Sequence, residues 1–395
     1  MAHEPSHDTP VGLVLVGCGY VADFYAATLP NHAGLRLVGV WDRDEARSSA
    51  FAQEWDCHVY PSWQEVLADP EVEVVVNLTN PDSHYTISSA ALEAGKHVYS
   101  EKPFAMDLAE ASALVELAEE RDLLLASAPC TLLGETAQTL WAALRKGEIG
   151  RPLLVYAELD DGMVHRMPYR QWLSASGAPW PAADEFAVGC TLEHSGYVLT
   201  WLTAFFGPVR KVVTYAAELL PDKGVPTGAH TPDFSCAVLE FHSGVVARLT
   251  NSIVAPRDHS LRIIGDEGVL SVADTFRFGE PVSLSRASAA GPEQGRIGYL
   301  GEPVDYPLVR PADHPFRYTD THDIEFARGI ADMALALRGH GESHLNARHA
   351  LHVLELTLSL SHGGQAPGVH EIQSTFPDIT PMAWSLPLPI EEGTK

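Results

Sequence analysis

Along the first 130 residues two kinds of hydrophobic pattern alternate. Short apolar and β-branched runs, "VGLVLVGCG", "LRLVGVWD", "VEVVVNLT", "KHVYSEKP" and "LLLASAP", read as strands. Between them, apolar positions fall at helical spacing: Tyr20 to about Leu29, "RDEARSSAFAQEW", "WQEVLAD", "HYTISSAALEAG" and "DLAEASALVELAEER". Gly95 supplies a glycine stop to the fourth of these helices. "DCHVYPS" reads as a further short strand and turn. Strands alternating with helices predict βαβ units and a doubly wound parallel sheet.

From about Arg151 the pattern changes. "RPLLVYAELD", "VRKVVTYAAEL", "DFSCAVLEFHSGVVARLTNSI" and "HSLRIIGDEGVLSVAD" are closely spaced strands, some joined by tight turns at "HSG" and "DEG". They predict a mostly antiparallel sheet. Two helices follow, "THDIEFARGIADMALALRG" and "ARHALHVLELTLSLSHGG", and the Pro-rich segment from Gly364 is expected to be extended, packed back or mobile. The class is therefore α/β in the first half and α+β in the second.

Composition narrows the function. A chain of 395 residues suits two domains, and a hydrophobic share of 46% with 20% charged residues is that of a globular protein. No apolar run is long enough to span a bilayer, and the N-terminal stretch has no secretory pattern, so the expected compartment is cytoplasmic. The formal net charge of -26 opposes binding to nucleic acid or to anionic membrane. The five cysteines are scattered without a CxxC pair, which excludes a zinc or redox motif of that type.

Candidate chemistry begins at "GCGYVA", Gly17 to Ala22, where strand one ends. Glycines let the backbone turn sharply and approach a pyrophosphate. Gly17, Gly19, Tyr20 and Val21 are the candidate contacts, and Asp42, at the end of strand two, is placed to bind the adenosine ribose. A carboxylate there repels a 2′-phosphate and favours NAD; Arg43 beside it keeps NADP open. "SEKPFA" puts Glu101 and Lys102 at the carboxyl end of another strand, with Lys102 aimed at the crevice and Pro103 stiffening the exit.

Taken together, "GCGYVADFYAATL", "VEVVVNLTNPDSHYTISSAALEAGKHVYSEKPFA", "GEIGRPLLVYAEL", "FHSGVVARLTNSI" and "LRIIGDEGVLSV" resemble the glucose-fructose oxidoreductase / inositol dehydrogenase / MocA family over nearly the whole chain. The resemblance implies a tail (1–10), a Rossmann domain (11–130), a substrate-binding and oligomerisation α+β domain on a large open sheet (131–363) and a C-terminal tail (364–395). It implies hydride transfer between nicotinamide and a sugar or cyclitol carbon, with Lys102 beside the reacting hydroxyl. It also adds Thr79, Asn80, Pro81, His84 and Glu101 to the cofactor contacts, and it implies a homo-oligomer, dimer or tetramer.

The stretch "GCTLEHSGYVLTWLTAFFG" reads as one apolar helix carrying Glu193, His194 and Tyr197. Much of the family has Asp-x-Gly-x-His here; counted back from "GPV", those positions fall on Glu193, Ser195 and Tyr197. Glu193 and Tyr197, four apart, share a helix face, and His194 flanks it. Tyr197 is the expected acid/base, its phenol acidified by the Lys102 ammonium. The irregular segment Asp161 to Phe186 is expected to act as a binding loop, with Arg166, Tyr169, Trp172 and Trp180 as substrate contacts and His165 and Arg170 nearby. The histidines at 340, 344, 349 and 352 lack partners at ligand spacing, so no metal is expected. Three readings remain: an NAD(P)-dependent dehydrogenase of a sugar, cyclitol or glycoside; a redox-elimination glycosidase working through a transient keto-sugar; and a non-catalytic dinucleotide and sugar sensor.

Overall fold

The computed structural model describes residues 9–226, 230–287, 300–317, 323–364, 366 and 368–386. The first sheet contains β1 (Val11–Val16), β2 (Leu35–Trp41), β3 (Val74–Asn77), β4 (His97–Ser100) and β5 (Leu125–Ser127), in the order β2-β1-β3-β4-β5. Every pairing is parallel. β1 and β3 are fully buried, which is why their sequences are apolar throughout rather than alternating.

Around this sheet lie α1 (Ala22–Thr28), α2 (Glu45–Trp55), α3 (Trp63–Ala68), α4 (His84–Glu93) and α5 (Leu108–Glu120). Three of them start on side-chain caps: Asp44 accepts from the Ala46 amide, Ser62 from that of Glu65, and Asp107 from that of Glu110. The "DCHVYPS" segment makes only an isolated bridge, Val59 to Val40, and no strand. β2 already pairs with β1 on its other side, and the segment meets it at that one point.

The second sheet contains β6 (Pro152–Asp160), β7 (Val209–Ala217), β8 (Phe234–Phe241), β9 (Val246–Ser252), β10 (Leu261–Gly265), β11 (Gly268–Val272), β12 (Val282–Arg286), β13 (Val304–Tyr306) and β14 (Gly368–Glu371). Its order is β13-β12-β11-β10-β6-β9-β8-β7-β14, antiparallel except for the β6–β9 pair. Strands β12 and β13 are not evident in the sequence pattern. β14 shows that part of the Pro-rich C-terminal segment packs back, as an edge strand on β7.

The remaining helices are α6 (Glu135–Arg145), α7 (Ala182–Val188), α8 (Cys190–His194), α9 (Gly196–Phe206), α10 (Arg328–Leu337) and α11 (Ala347–Ser361). α10 begins later than the sequence pattern suggests: residues 323–327 are not helical, and the expected start at Thr321 lies outside the described residues. α11 packs against α5 on one side and α9 and β7 on the other, so one apolar core runs across both sheets. The stretch expected as a single helix is divided into α8 and α9 at Ser195, whose hydroxyl donates to the Thr191 carbonyl at 2.5 Å. A serine hydroxyl bonded back into the preceding turn is a known cause of helix bending.

Candidate active site

The strand order reverses direction between β1 and β3, and a cleft of about 840 Å³ opens beyond the carboxyl ends of these strands. Gly17 leaves β1 with φ +97, and a Cβ there would lie 2.6 Å from the Leu78 carbonyl oxygen. Only glycine fits that close approach. At Gly19 a Cβ would meet nothing within 4 Å, so this backbone faces open cleft. Asp42 braces the loop: its Oδ2 accepts from the Cys18 amide at 2.7 Å and its Oδ1 from the Asp44 amide at 2.8 Å.

Tyr20, Val21, Arg43, Thr79, Asn80 and Pro81 line the same wall. His84 does not. It is 1% exposed, with Nδ1 2.7 Å from the Pro103 carbonyl and Nε2 2.9 Å from that of Thr79, so it ties two loops together behind the wall. Arg47, which the sequence reading missed, joins Arg43 beside Asp42. A glycine turn, open backbone and a carboxylate at the second strand together fit a dinucleotide.

At the inner end of the cleft Lys102 Nζ donates to Glu193 Oε2, joining β4's exit loop to α8. The Glu193 side chain is 4% exposed. Burial opposes the charge on Lys102, but Glu193, then Glu185, Tyr197 and Glu101, outweigh it and hold the ammonium well above its ordinary pKa. Glu101 is fixed by the Tyr25 hydroxyl at 2.7 Å and by the Lys102 amide at 2.9 Å.

Tyr197 lines the cleft beside them, its ring stacked on Phe276 at 4.3 Å between centroids. Its phenol corrects the sequence argument. Burial pushes the pKa up, and Glu101, Cys130 and Glu185 add to that rise, so the lowering effect of Lys102 is overcome. The ammonium is already neutralised by Glu193. Tyr197 is therefore held as a neutral donor.

His194 also lines the cleft, 3.7 Å from Asp161 Oδ2. Behind Asp161 sits His259, 3.2 Å from its Oδ1 and 3.4 Å from Asp274 Oδ1, both ion-pair approaches rather than aligned hydrogen bonds. Burial opposes charge on His259, yet the two aspartates raise its pKa. Asp274 is lowered to about 2: burial is outweighed by His259, the Phe276 amide and Arg257.

The segment Asp161 to Phe186 crosses the cleft and is anchored on α1, where Asp23 accepts the Ser176 amide at 3.0 Å and its hydroxyl at 2.7 Å. Trp172 and Trp180 reach the cleft. Arg166 is exposed, and Tyr169 packs against Trp180 and Phe186 and donates to the Lys223 carbonyl, so neither lines the cleft. Nor do His165 or Arg170. Asp161 and Glu185 line it and were not singled out in the sequence; their only signals are "LDD" at the end of β6 and the acidic first turn of α7. Of the histidines weighed as ligands, His344 binds Asp332, His349 meets the Thr203 hydroxyl, and His352 accepts from the Val209 amide.

Fold and cleft define a protein with a Rossmann-type dinucleotide-binding domain. Residues 11–128 match the model of the oxidoreductase family with an NAD-binding Rossmann fold, and residues 137–271 match the GFO/IDH/MocA C-terminal domain. Human trans-1,2-dihydrobenzene-1,2-diol dehydrogenase is 34% identical over 264 residues, which is 66% of this chain and 73% of that one. The chain belongs to the Gfo/Idh/MocA family.

UDP-N-acetylglucosamine 3-dehydrogenase of Acidithiobacillus ferrooxidans is 33% identical over 213 residues, covering 50% of this chain and 64% of that one. The chain thus spans about two thirds of the length of curated relatives it matches. An oxidoreductase of Agrobacterium radiobacter, solved with NAD+, L-tartaric acid and magnesium, superposes with a TM-score of 0.73 at 17% identity over 92% of this chain and 98% of that one. That likeness concerns the fold.

Proposed function

We propose that this protein is an NAD(P)-dependent dehydrogenase transferring a hydride between nicotinamide and a hydroxyl-bearing carbon of a sugar, cyclitol or related polyol. The observation that carries this reading is the Lys102–Glu193 pair with Tyr197 at the inner end of a cleft whose other end is the glycine cradle. Bound nicotinamide would supply or accept the hydride. Glu193 orients the Lys102 ammonium, and Lys102 and Tyr197 donate hydrogen bonds to the reacting oxygen. Two donors on one oxygen stabilise negative charge as it develops there. In reduction Tyr197 passes its proton to that oxygen, and in oxidation it takes the proton back. Trp172 and Trp180 offer flat apolar faces to a ring.

The acceptance of polyol substrates rests on the site chemistry and on the names of the diol and sugar-nucleotide dehydrogenases among its relatives. A homo-oligomer is supported by the outer face of the second sheet, where Val213, Val238 and Val369 are cross-strand neighbours and all exposed. A reducing compartment such as the cytoplasm is supported by five free cysteines. No helix among the described residues is long and apolar enough to cross a membrane.

The test is a screen of sugars, cyclitols and diols against NAD and NADP, read by absorbance of the reduced nicotinamide. Lys102→Met should retain dinucleotide binding while turnover falls by about a hundredfold or more. Unchanged turnover with a true substrate would remove Lys102 from the chemistry.

A further inference from the structure

The charges around the inner cleft do not balance. Lys102 is neutralised by Glu193, and Arg257 pairs with Asp274 at 2.7 Å. Asp184 and Glu185 also line this cleft, whereas Asp161 lies in ion-pair reach of His194, at 3.7 Å, and of His259, at 3.2 Å. Among the described residues the Glu185 carboxyl has no hydrogen-bond or ion-pair partner. α7 nonetheless turns it into the cleft that holds Lys102, Glu193 and Tyr197.

Burial, then Glu193, Asp161 and Glu101 against the opposing pull of Lys102, pushes Glu185 up to about 8. A carboxyl in that position gains most from a cation that the protein itself does not supply. A substrate carboxylate or phosphate would meet the same groups as repulsion.

We infer that the natural substrate is a polyol bearing an amino group, an amino sugar or aminocyclitol, whose ammonium binds Glu185 in the cleft that Asp161 also lines. The inference rests on the dehydrogenase reading of the site. The cleft is defined independently by its glycine cradle and by Lys102; the acidic groups decide what enters it. Anionic sugars are disfavoured by the same groups. Binding converts neutral Glu185 and an ammonium into an ion pair and releases the carboxyl proton, so association near pH 7 is coupled to proton loss.

Glucosamine, galactosamine and an inosamine are each set beside the neutral isostere (glucose, galactose, inositol), with glucuronate as the anionic probe, using wild type and Glu185→Gln with both nicotinamides. The expected result is a kcat/KM at least about tenfold higher for the best amine than for its isostere, with glucuronate poorest and the ratio collapsing in Glu185→Gln. Calorimetry of the dinucleotide complex in two buffers of different ionisation enthalpy should show release of about half a proton or more per site with the amine, and none in Glu185→Gln. Neutral or anionic probes turned over as well as the amines, with a ratio that Glu185→Gln leaves unmoved, overturn the inference and leave the dehydrogenase standing. If no probe is turned over, the dehydrogenase reading fails, and calorimetry alone decides: amine binding with proton release supports the ammonium site, and its absence overturns it.

Discussion

At the residue scale the most informative difference between sequence and structure is Tyr197. Residue types alone put an ammonium beside a phenol and suggest a lowered pKa, but the fold spends that ammonium on Glu193 and buries the phenol among carboxylates. The sign of the pH dependence follows. With the folded pKa above about 10, the phenolate that oxidation needs is scarce at neutral pH and grows about tenfold per unit. Oxidation should therefore accelerate from about pH 7 to about pH 10 without levelling, while reduction, which uses the neutral phenol, stays flat. Tyr197→Phe should remove the slope and lower turnover by about a hundredfold; an unchanged slope would give the proton to another group. His194→Gln should act mainly on KM, because that imidazole lines the cleft against Asp161 rather than joining the Lys102–Glu193 pair. Asp42 tests the cofactor. Asp42→Ala removes both the proposed ribose acceptor and the brace on the Cys18 amide, so NAD binding should weaken by about 2 kcal/mol or more. NADP should lose less, since Arg43 and Arg47 remain on that wall without the repelling carboxylate. Titrating both dinucleotides decides it, and an equal loss for the two would mean that the loop brace alone was removed.

At the scale of elements, what was legible followed from periodicity. β1 and β3 announce themselves as buried strands, and the hairpins of β8–β9 and β10–β11 are marked by turn residues. α6 gave no such signal. Nine of its eleven residues are buried, among them Glu135, Thr136, Gln138 and Thr139, so its polar positions do not mark a solvent face. The β12–β13 pair is short, and residues 288–299 between its strands lie outside the described residues. In the site, residues within contiguous motifs were readable: the glycine turn, Asp42, Lys102 and the Glu193–Tyr197 spacing. Asp161 and Glu185 were not, because their place in the cleft depends on how β6 and the segment up to α7 return over the first sheet. The glycine turn makes two distinct predictions. Gly17→Ala forces a Cβ into the Leu78 carbonyl at positive φ and should lower both the melting temperature and dinucleotide affinity. Gly19→Ala meets no protein atom, so the melting temperature should hold while affinity falls because the methyl projects into the space a pyrophosphate needs. Thermal unfolding and dinucleotide titration of the two variants separate these effects; full affinity in Gly19→Ala would move the pyrophosphate elsewhere.

At the scale of the whole molecule, ion pairs fasten the segments flanking the first sheet to α6 and α10. Arg338, capping α10, makes two bonds to Glu73 ahead of β3, at 2.8 and 2.9 Å. Near the start of α10, Arg328 joins Glu325 at 3.0 Å and Glu135 at 3.0 Å, and Glu325 receives His32 from the segment after α1 at 2.8 Å. Glu135 is fully buried and also takes Arg310 at 2.7 Å and faces His314 at 3.5 Å. Burial alone would raise its pKa, but His314, Arg328 and Arg310 lower it to about 2. A depressed carboxyl contributes stability that is fully present above its unfolded pKa of about 4.3 and is lost as pH falls through the folded value. Glu135→Gln keeps the shape but leaves two guanidinium groups short of a counter-charge, and should cost about 3 kcal/mol at neutral pH. The gap between wild type and variant should narrow as pH is lowered from about 4.3 toward about 2, because protonation makes the wild-type group neutral as well. Denaturant unfolding of both proteins at neutral pH and at about pH 3 measures it. A gap that stays constant with pH would mean that the side chain contributes through packing and hydrogen bonding rather than charge.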